Sequence, residues 1–455
     1  MGGGKIVASR ETVRIDKVVA GGQGLARSAT GQVLLVPLVL PGEEVVVRPL
    51  QVRKGYLEAE LVEIISASPG RVTPTCHHFG RCGGCDLQHA DYPLQVEIKN
   101  GILREQLVQS GVFPAKGAAE LAEPLVSPVP FGYRQRLRLQ VDETGRWGFF
   151  RGRSHVLEAI AECPLAGPEI NAVIRDFPSR PALGRLLPNA QEVEVIASPG
   201  DGKVILVLWL RRKARPADLQ AAVRVAAELA PVSAVFLESE GQLRLGPFPA
   251  AGDEKSGAGV GLVYLPFPAL PEWGIPAYTL IQEAGGFCQV NPEQNRRMIA
   301  RMLAWLDGCG VGRAVDLFCG MGNFSIPLGL AGIAVTGSDL QRSAIRSAVR
   351  NAASAGLGNC TFVQAAAVQA ARDLAGSGER FDLIVLDPPR RGCPEVIPLL
   401  AALGADLLLY ISCDPATLAR DLARLSGLGY RIEKIGIVDM FPQTAHLESM
   451  VLMRK

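Results

Sequence analysis

Two residues that could carry group-transfer chemistry stand where predicted strands end in the last third of the chain. Asp387 opens the motif DPPRRG after the apolar run FDLIVL, and Cys413 lies in ISCDPATLARDL after the run ADLLLY. Ligands bind beyond the carboxyl ends of parallel strands, near the switch point of the sheet, so we expect both side chains to face one crevice. The dipole of the helix that follows could hold Cys413 as a thiolate, which predicts a nucleophile.

A glycine-rich loop, DLFCGMGNF, follows an earlier predicted strand and favours a nucleoside ligand. Gly320 and Gly322 allow the backbone to approach a ligand closely. The next predicted strand ends in Asp339, whose carboxylate could accept both ribose hydroxyls. The loop offers neither a basic residue nor a P-loop for phosphates, so we expect S-adenosyl-L-methionine rather than NAD.

The residues after Asp387 restrict the acceptor of the methyl group. D-P-P followed by an aromatic residue is typical of adenine amino methylation, but Arg390 occupies that position. Methylation of uracil at C5 fits better, because thiolate addition at C6 would make C5 nucleophilic toward the sulfonium methyl group. The C5 proton must then pass to a base, and Glu448 in TAHLESM is the best candidate.

The elements that must position these residues begin near Gln289. From there, predicted strands alternate with helices in about five units, which indicates an α/β fold with a doubly wound parallel sheet. The last two predicted strands, YRIEKIGIVDMF and HLESMVLMRK, are joined by a short loop and should pair antiparallel. That ending is typical of class I methyltransferases rather than of dinucleotide dehydrogenases.

A second group of residues could bind metal. The chain has ten cysteines, and Cys76, Cys82 and Cys85 are spaced C-x5-C-x2-C, with Cys163 following in AECPL. Without a recognisable secretory signal, this usage indicates a reducing compartment and thiols that serve chemistry or metal. Four thiolates suit structural zinc or an iron–sulfur cluster. Three local ligands and a distant one favour a [4Fe-4S] cluster, and zinc remains the alternative.

The first third is predicted to be rich in strands. Residues 10–66 read as about five short strands broken by turns, which indicates a small barrel of the OB type, a common single-strand-binding module. A barrel without a ligand is the alternative. An amphipathic helix is expected from Asp91 to Ser110, and a further helix in RPADLQAAVRVAAELA.

Arginines recur at alternate positions from Phe131 onward. Arg134, Arg136 and Arg138 would share one face of a strand, and three more arginines follow on the expected return strand: Arg146, Arg151 and Arg153. The set predicts either a sheet that faces RNA phosphates or a solvated edge strand.

Charge and hydropathy exclude several classes of protein. Lys and Arg total 47 of the 455 residues against 45 Asp and Glu, so the net charge of +2 excludes a polycationic surface, and any nucleic-acid contact must be local. The start, MGGGKIV, has no apolar signal region. The uncharged stretch Leu317–Ser338 is interrupted by glycine and proline, which favours a buried strand–loop–helix over a membrane span. We therefore expect a soluble, cytoplasmic protein.

Taken together, the motifs resemble the RumA/RlmD-type RNA uracil-5 methyltransferases along nearly the whole chain. GGQGLAR and LPGEEV resemble a TRAM domain, and C-x5-CGGC with the later CPL resembles the [4Fe-4S] site of that family. FCQVN, DLFCGMGNF, DPPRRG, ISCDPATLARDL and HLESM follow in the order of its catalytic domain.

The resemblance implies Cys413 as the nucleophile, Glu448 as the proton acceptor and Asp387 as a third catalytic residue that contacts the uracil edge or positions the donor. The residues that it implies around the methyl donor and uracil are Gln289, Phe318, Gly320, Gly322, Asn323, Asp339 and Asp387. Three positions depart from the family pattern. Cys288 replaces a phenylalanine, Asp339 replaces a glutamate, and Ala366 replaces an asparagine or aspartate, so no adenine contact is assigned there.

The resemblance also implies three domains: a TRAM barrel over 1–70 that binds RNA, a β-rich central domain over 71–275 with the iron–sulfur site, and a class I methyltransferase domain over 276–455. It implies a monomer that makes 5-methyluridine in 23S rRNA. A tRNA uracil-5 methyltransferase, an RNA cytosine-5 methyltransferase and an inactive RNA-binding protein are the alternatives. RNA cytosine-5 methyltransferases use a second cysteine, rather than a carboxylate, to release the product. The presence of Cys413, Asp387 and Glu448 weighs against an inactive protein.

Overall fold

The computed structural model describes residues 10–114, 121–176, 181–249 and 259–455. Five strands near the start close into a barrel in the order β1-β2-β3-β5-β4. Alternate side chains, among them Val13, Ile15 and Val36, point into a core that belongs to the barrel alone. The predicted OB-type barrel is confirmed. Its strands are β1 (Glu11–Val18), β2 (Gly24–Arg27), β3 (Val33–Val36), β4 (Glu44–Arg53) and β5 (Tyr56–Ser66).

The helix predicted from Asp91 to Ser110 is confirmed as α1 (Tyr92–Gln109). Asp91 caps it, because its Oδ1 accepts the Leu94 N–H at 2.9 Å. The buried face of α1, including Leu103, packs in the same apolar core as Leu386 and Leu422 near the C-terminus. The helix is therefore part of the core of the C-terminal sheet.

A buried ion pair fixes α1 to that region. Lys99 Nζ lies 2.6 Å from Asp439 Oδ1, and both side chains are fully buried. The same ammonium group donates to the carbonyl oxygen of Phe441 at 2.9 Å. Burial lowers the pKa of Lys99, and the carboxylate of Asp439 opposes that shift. Losing one partner would leave an uncompensated charge, at a cost of about 3–5 kcal/mol.

The central region contains a seven-stranded sheet in the order β12-β11-β10-β9-β6-β7-β8. Its strands pair antiparallel except for β10 and β11, which are parallel and connected through α4, the helix predicted in RPADLQAAVRVAAELA. The elements are β6 (Arg136–Val141), β7 (Trp147–Phe150), β8 (Leu157–Ala159), α2 (Pro168–Asp176), α3 (Pro181–Leu186), β9 (Ala190–Ser198), β10 (Lys203–Leu210), α4 (Pro216–Glu228), β11 (Val232–Ser239) and β12 (Gln242–Pro249).

A hairpin connects the central and C-terminal regions. Its strands, β13 (Leu262–Phe267) and β14 (Tyr278–Glu283), pair antiparallel on either side of the domain limit predicted at 275. The division into 1–70, 71–275 and 276–455 stays a prediction. The hairpin has one strand on each side of the limit at 275, and α1, which precedes that limit in sequence, packs against the C-terminal sheet.

The C-terminal sheet has the order β17-β16-β15-β18-β19-β21-β20. Strands β15 to β19 are parallel, and the order reverses between β15 and β18. The elements are α5 (Pro292–Leu306), β15 (Arg313–Asp316), α6 (Ser325–Leu330), β16 (Ala334–Asp339), α7 (Arg342–Ser354), β17 (Cys360–Gln364), α8 (Ala367–Gly376), β18 (Leu383–Leu386), α9 (Ile397–Leu400), β19 (Leu407–Ser412), α10 (Pro415–Gly427), β20 (Arg431–Val438) and β21 (Glu448–Arg454). The predicted doubly wound sheet is confirmed.

The antiparallel pairing predicted for the last two strands is also confirmed, with β21 inserted between β19 and β20. The uncharged stretch Leu317–Ser338 folds into a loop, α6 and most of β16. None of the helices in the described ranges combines the length and the apolar character needed to cross a bilayer.

Candidate active site

The glycine-rich loop leaves the sheet at its switch point, between β15 and α6. Gly320 and Gly322 adopt positive φ angles of 53° and 90°. A Cβ at Gly322 would lie 2.8 Å from Ile326 Cγ1, whereas a Cβ at Gly320 would meet no atom within 4 Å. Gly322 therefore lets the loop close onto α6, and Gly320 faces open space where a ligand can approach the backbone.

Asp339 ends β16 beside this loop. Its Oδ2 accepts the Gly320 N–H at 3.1 Å, and its Oδ1 accepts the Gln341 N–H at 2.7 Å. The two backbone donors fix the orientation of the carboxylate, and each of its oxygens retains a lone pair for another donor.

Other predicted donor-site residues lie around the loop. The amide groups of Asn323 and Asn295 exchange two hydrogen bonds, at 2.7 and 3.1 Å, so Asn323 holds the loop to α5. Gln289 is buried, and its carbonyl oxygen accepts the Gln135 side-chain amide at 2.8 Å. Phe318 is half-buried at the start of the loop.

The three predicted catalytic residues come from adjacent strands. Asp387 follows β18, Cys413 follows β19, and Glu448 begins β21. The register pairs Leu386 with Tyr410 and Ser412 with Ser449, which brings the three residues to the same edge of the sheet.

Burial dominates the electrostatics of this trio. It raises the pKa of Glu448 well above its usual range, and the neighbouring Asp387 carboxyl adds to the shift. Burial likewise raises the pKa of Asp387, with a further contribution from Asp316. Burial and mutual repulsion favour the protonated forms of the Asp387 and Glu448 carboxyl groups. Raised pKa values of this kind suit general acids and bases.

The expectation that the helix dipole holds Cys413 as a thiolate is wrong for the ligand-free site. Burial raises the pKa of this thiol to about 12, and the carboxyl groups of Glu448 and Asp387 add to the shift. The N-cap of α10 is Asp414, whose Oδ1 accepts the Thr417 N–H at 2.9 Å, so Cys413 lies one residue before the capped turn. Its proton must therefore leave as the nucleophile attacks.

Sequence reasoning missed Asp316, the residue that ends β15. It is fully buried, its Oδ2 accepts the Ser325 hydroxyl at 2.7 Å, and burial raises its pKa to about 7. The signal was present, because Asp316, Asp339 and Asp387 each stand at the end of a predicted strand.

The loop after Asp387 is anchored to α10 through Asp421. One carboxylate oxygen of Asp421 accepts both the Tyr410 hydroxyl, at 2.8 Å, and the Cys393 N–H, at 3.1 Å. A Cβ at Gly392 would lie 2.3 Å from that oxygen, so only glycine fits there. This network was not predicted, and it holds the DPPRRG loop against the helix that follows Cys413.

The four cysteines predicted to bind metal line one cavity of about 50 Å³, together with Arg134 and apolar side chains. Burial raises the pKa of Cys82 to about 11 and that of Cys85 to about 12, and neighbouring thiols add to both shifts. The four cysteines therefore share one cavity, and the metal site stays a prediction. Within the part of the chain that the structure describes, no three His, Cys, Asp or Glu side chains are arranged to hold a metal ion.

Two amide side chains orient these cysteines. Gln88 donates to Cys85 Sγ at 3.2 Å and accepts the Cys76 N–H at 3.2 Å. Asn171 accepts the Cys163 N–H at 2.9 Å and donates to the Cys163 carbonyl oxygen at 3.0 Å. Both tie the backbone of the site through hydrogen bonds that the spacing of the cysteines does not reveal.

The edge-strand alternative for the arginines is wrong, because β6 lies inside the sheet between β9 and β7, and contact with RNA phosphates stays a prediction. Arg136 pairs with Glu194, and Arg138 lies 3.5 Å from Glu192, both on β9. Arg134 faces the cysteine cavity. Three other arginines have carboxylate partners at 2.8 to 3.3 Å: Arg146 with Asp142, Arg151 with Glu158 and Arg153 with Glu58.

Two family models match the chain. The model described as tRNA (Uracil-5-)-methyltransferase matches residues 277–455, which include the whole C-terminal sheet. The TRAM domain model matches residues 5–62, which include most of the barrel.

Whole-chain comparisons agree with these matches. The chain is 36% identical to the 23S rRNA (uracil(1939)-C(5))-methyltransferase RlmD of Pseudomonas entomophila, over 98% of this chain and 94% of that protein. It is 32% identical to the Vibrio vulnificus protein of the same description, over 98% of this chain and 97% of that protein.

Among solved structures, the fold is similar to that of Pyrococcus abyssi tRNA (uracil-54, C5)-methyltransferase in complex with S-adenosyl-L-homocysteine. The TM-score is 0.72, with 23% identity over 98% of this chain and 100% of that chain. At this identity the likeness concerns the fold alone.

Proposed function

The chain belongs to the family of RNA uracil-C5 methyltransferases that includes the RlmD proteins, and from that premise we propose that it methylates C5 of a uracil in 23S rRNA with S-adenosyl-L-methionine. The observation that carries the proposal is the arrangement of Cys413, Asp387 and Glu448 at one sheet edge beside the glycine-rich loop. A thiol and two buried carboxyl groups can supply a nucleophile and the proton transfers that C5 methylation needs.

The first step would form a bond between Cys413 Sγ and uracil C6. Burial raises the pKa of the thiol, so its proton must pass to a base as the bond forms. Asp387, whose charge acts on the thiol and whose pKa is raised by burial, would accept this proton and return it to Cys413 after release, which leaves the Glu448 carboxylate free for the later transfer. C5 becomes nucleophilic and takes the sulfonium methyl group, which leaves S-adenosyl-L-homocysteine.

The second step would remove the C5 proton to the Glu448 carboxylate. The electrons of the C5–H bond re-form the C5–C6 double bond, and the C6–Sγ bond breaks to release Cys413. Because burial raises the pKa of Glu448, its ionised form is a strong base for this transfer.

The methyl donor would lie over the glycine-rich loop. We propose that Asp339, fixed by two backbone N–H groups, accepts hydrogen bonds from the ribose, and that Gly320 allows close approach of the nucleoside. Asn323 would act by holding the loop to α5 rather than by donating to the ligand. Phe318, Gln289, Gly322 and Asp387 would complete the surroundings of the donor and uracil.

Mapping of modified nucleotides separates rRNA from tRNA as the substrate. Mass mapping of RNA from a deletion strain should show one 5-methyluridine missing from 23S rRNA, and the gene supplied on a plasmid should restore it. Loss of 5-methyluridine from tRNA with intact 23S rRNA would contradict the rRNA assignment and favour the tRNA alternative.

We further propose that Cys76, Cys82, Cys85 and Cys163 hold a [4Fe-4S] cluster. What supports the proposal is the donor set, because four thiols with an apolar lining surround one cavity, and thiolates are the ligands of such clusters. The Gln88 amide on Cys85 Sγ is the kind of hydrogen bond that tunes such clusters. Methyl transfer requires no redox step, so the group would serve structure or RNA positioning.

Protein purified without oxygen should therefore be brown and contain about four iron atoms and four sulfide ions per chain. Cys163→Ser, which removes the distant ligand, should lower both contents in parallel, whereas Cys309→Ser in the C-terminal region should not. A colourless protein with about one zinc ion per chain would contradict the cluster and favour the zinc alternative.

A further inference from the structure

We propose that Asp86, the residue after Cys85, is a positioning residue for the release step of the reaction. It would act by fixing the loop over residues 439–447, here termed the base loop, which leads into Glu448. The inference rests on the proposed function, because it assumes that Glu448 removes the C5 proton.

Asp86 binds the base loop through both its backbone and its side chain. The N–H groups of Asp86 and Leu87 donate to the Gln443 carbonyl oxygen at 3.2 and 3.0 Å. In return, Asp86 Oδ2 accepts the Ala445 N–H at 3.0 Å. Three hydrogen bonds thus connect the cysteine-rich segment to Gln443 and Ala445, which lie five and three residues before Glu448.

The base loop has a conformation that needs such support. Gln443 has a φ of 71°, in the left-handed region that residues other than glycine rarely adopt. Its side chain and its N–H group form hydrogen bonds with the Gln95 amide at 3.0 and 2.8 Å, and both residues are buried. A strained conformation of this kind persists only where its surroundings over-determine it.

The remaining described anchors of the base loop also come from outside residues 277–455. Lys99 Nζ binds Asp439 Oδ1 at 2.6 Å and the Phe441 carbonyl oxygen at 2.9 Å. The Tyr133 hydroxyl donates to the Pro442 carbonyl oxygen at 3.0 Å. The position of the base is therefore set by contacts that reach the methyltransferase region from the preceding part of the chain.

The N-terminal barrel also packs against the site where Asp86 binds the base loop. A Cβ at Gly22 would lie 2.7 Å from Asp86 Cβ and 3.1 Å from Ala445 Cβ, and Gly22 has a φ of 79°. The turn between β1 and β2 thus packs directly on the contact between Asp86 and Ala445. Three parts of the chain converge where the base loop is held.

A displaced Glu448 would impair proton removal after the methyl group has already been transferred. A shift of about 1 Å at a reacting group can cost roughly a hundredfold in rate. Cys413 is held by β19 and α10, which have no part in the Asp86 contact, so adduct formation should change little. The signature of the role is a methylated RNA–enzyme adduct that releases slowly.

The test is single-turnover methylation with radiolabelled S-adenosyl-L-methionine, followed by denaturing gels that separate adduct from free RNA. Asp86→Ala should slow release at least about tenfold while adduct formation changes less than about threefold. Asp86→Asn should restore much of the release rate, because its amide oxygen can still accept the Ala445 N–H. Gly22→Ala, which presses on the same contact from the barrel, should also slow release. It is the variant to measure if Asp86→Ala does not fold.

Glu158→Ala is the matched control. Glu158 holds the other flank of the cysteine-rich segment through His78 and Arg81, at 3.0 and 3.1 Å. It should leave the ratio of adduct to free product unchanged. Release at the wild-type rate in Asp86→Ala, or an equal fall in both steps, would overturn the proposal. Failure of Glu448→Gln to accumulate adduct would instead contradict the base assignment on which it rests.

Discussion

Replacement of Cys413 by alanine should remove methylated RNA and the covalent complex together. The Sγ–C6 bond makes C5 nucleophilic, so without the thiol the reaction has no first step. The loss should be about 10⁴-fold or more, as for other residues that act within one catalytic unit. Incubation with labelled methyl donor and 23S rRNA, followed by denaturing gels, measures both species in one experiment.

Cys309→Ala provides the control, because Cys309 is a partly exposed thiol whose Sγ accepts from Arg454 at 3.4 Å, away from the sheet edge. It should keep wild-type activity. Product formed at an unreduced rate by Cys413→Ala would place the nucleophile elsewhere.

Replacement of Glu448 by glutamine should have the opposite effect on the adduct. The thiol remains, so the uracil can be attacked and methylated, but the amide cannot accept the C5 proton. Elimination then stalls, and a methylated RNA–enzyme complex should accumulate to nearly one per active site and survive denaturing electrophoresis. Free 5-methyluridine should fall by at least about a hundredfold.

The pH dependence of release gives an independent measure. Burial raises the pKa of Glu448, so its ionised fraction, and with it the release rate of the wild-type enzyme, should rise with pH over a range higher than that of an exposed glutamate. Glu433→Gln on the adjacent β20, where Glu433 pairs with Arg454, should keep that dependence. Normal turnover by Glu448→Gln would mean that the base lies elsewhere, and Asp387 would be the next residue to replace.

Much of the C-terminal sheet could be predicted because β15, β16, β18 and β19 are short runs that end in a polar residue or are followed by one. Parallel strands bring their carboxyl ends together, so Asp387 and Cys413 could be placed at one edge without a structure. Glu448 is the first residue of an antiparallel strand, and its place depends on the insertion of β21 between β19 and β20. Strand order of that kind is not encoded in local periodicity.

The arginines show where periodicity fails. Alternation correctly places Arg136 and Arg138 on one face, but it does not indicate what that face meets, and Arg134 precedes β6 and faces the cysteine cavity instead. In this sheet, Glu192 and Glu194 alternate on β9 in the same way, and each pairs with an arginine two residues away in register, Glu194 with Arg136 and Glu192 with Arg138. In the sequence, the alternating carboxylates Glu192 and Glu194 were the sign that the charges of Arg136 and Arg138 would be neutralised.

The protonation state of Cys413 could not be predicted from the helix that follows it. A helix dipole acts over the first turn, whereas burial and two nearby carboxyl groups act on the thiol directly. Those carboxyl groups come from β18 and β21, which are distant in sequence from Asp414 and the start of α10.

Because α1 packs into the core of the C-terminal sheet, residues 277–455 are not a portable module. Excised at the limits of the family match, the catalytic region would expose the apolar surface that Leu103 covers and leave Asp439 without its ammonium partner. Domain shuffling in this lineage would thus have to carry α1 along with the sheet. During synthesis on the ribosome, α1 emerges long before the strands that it covers, so its apolar face remains without its partners until they are made.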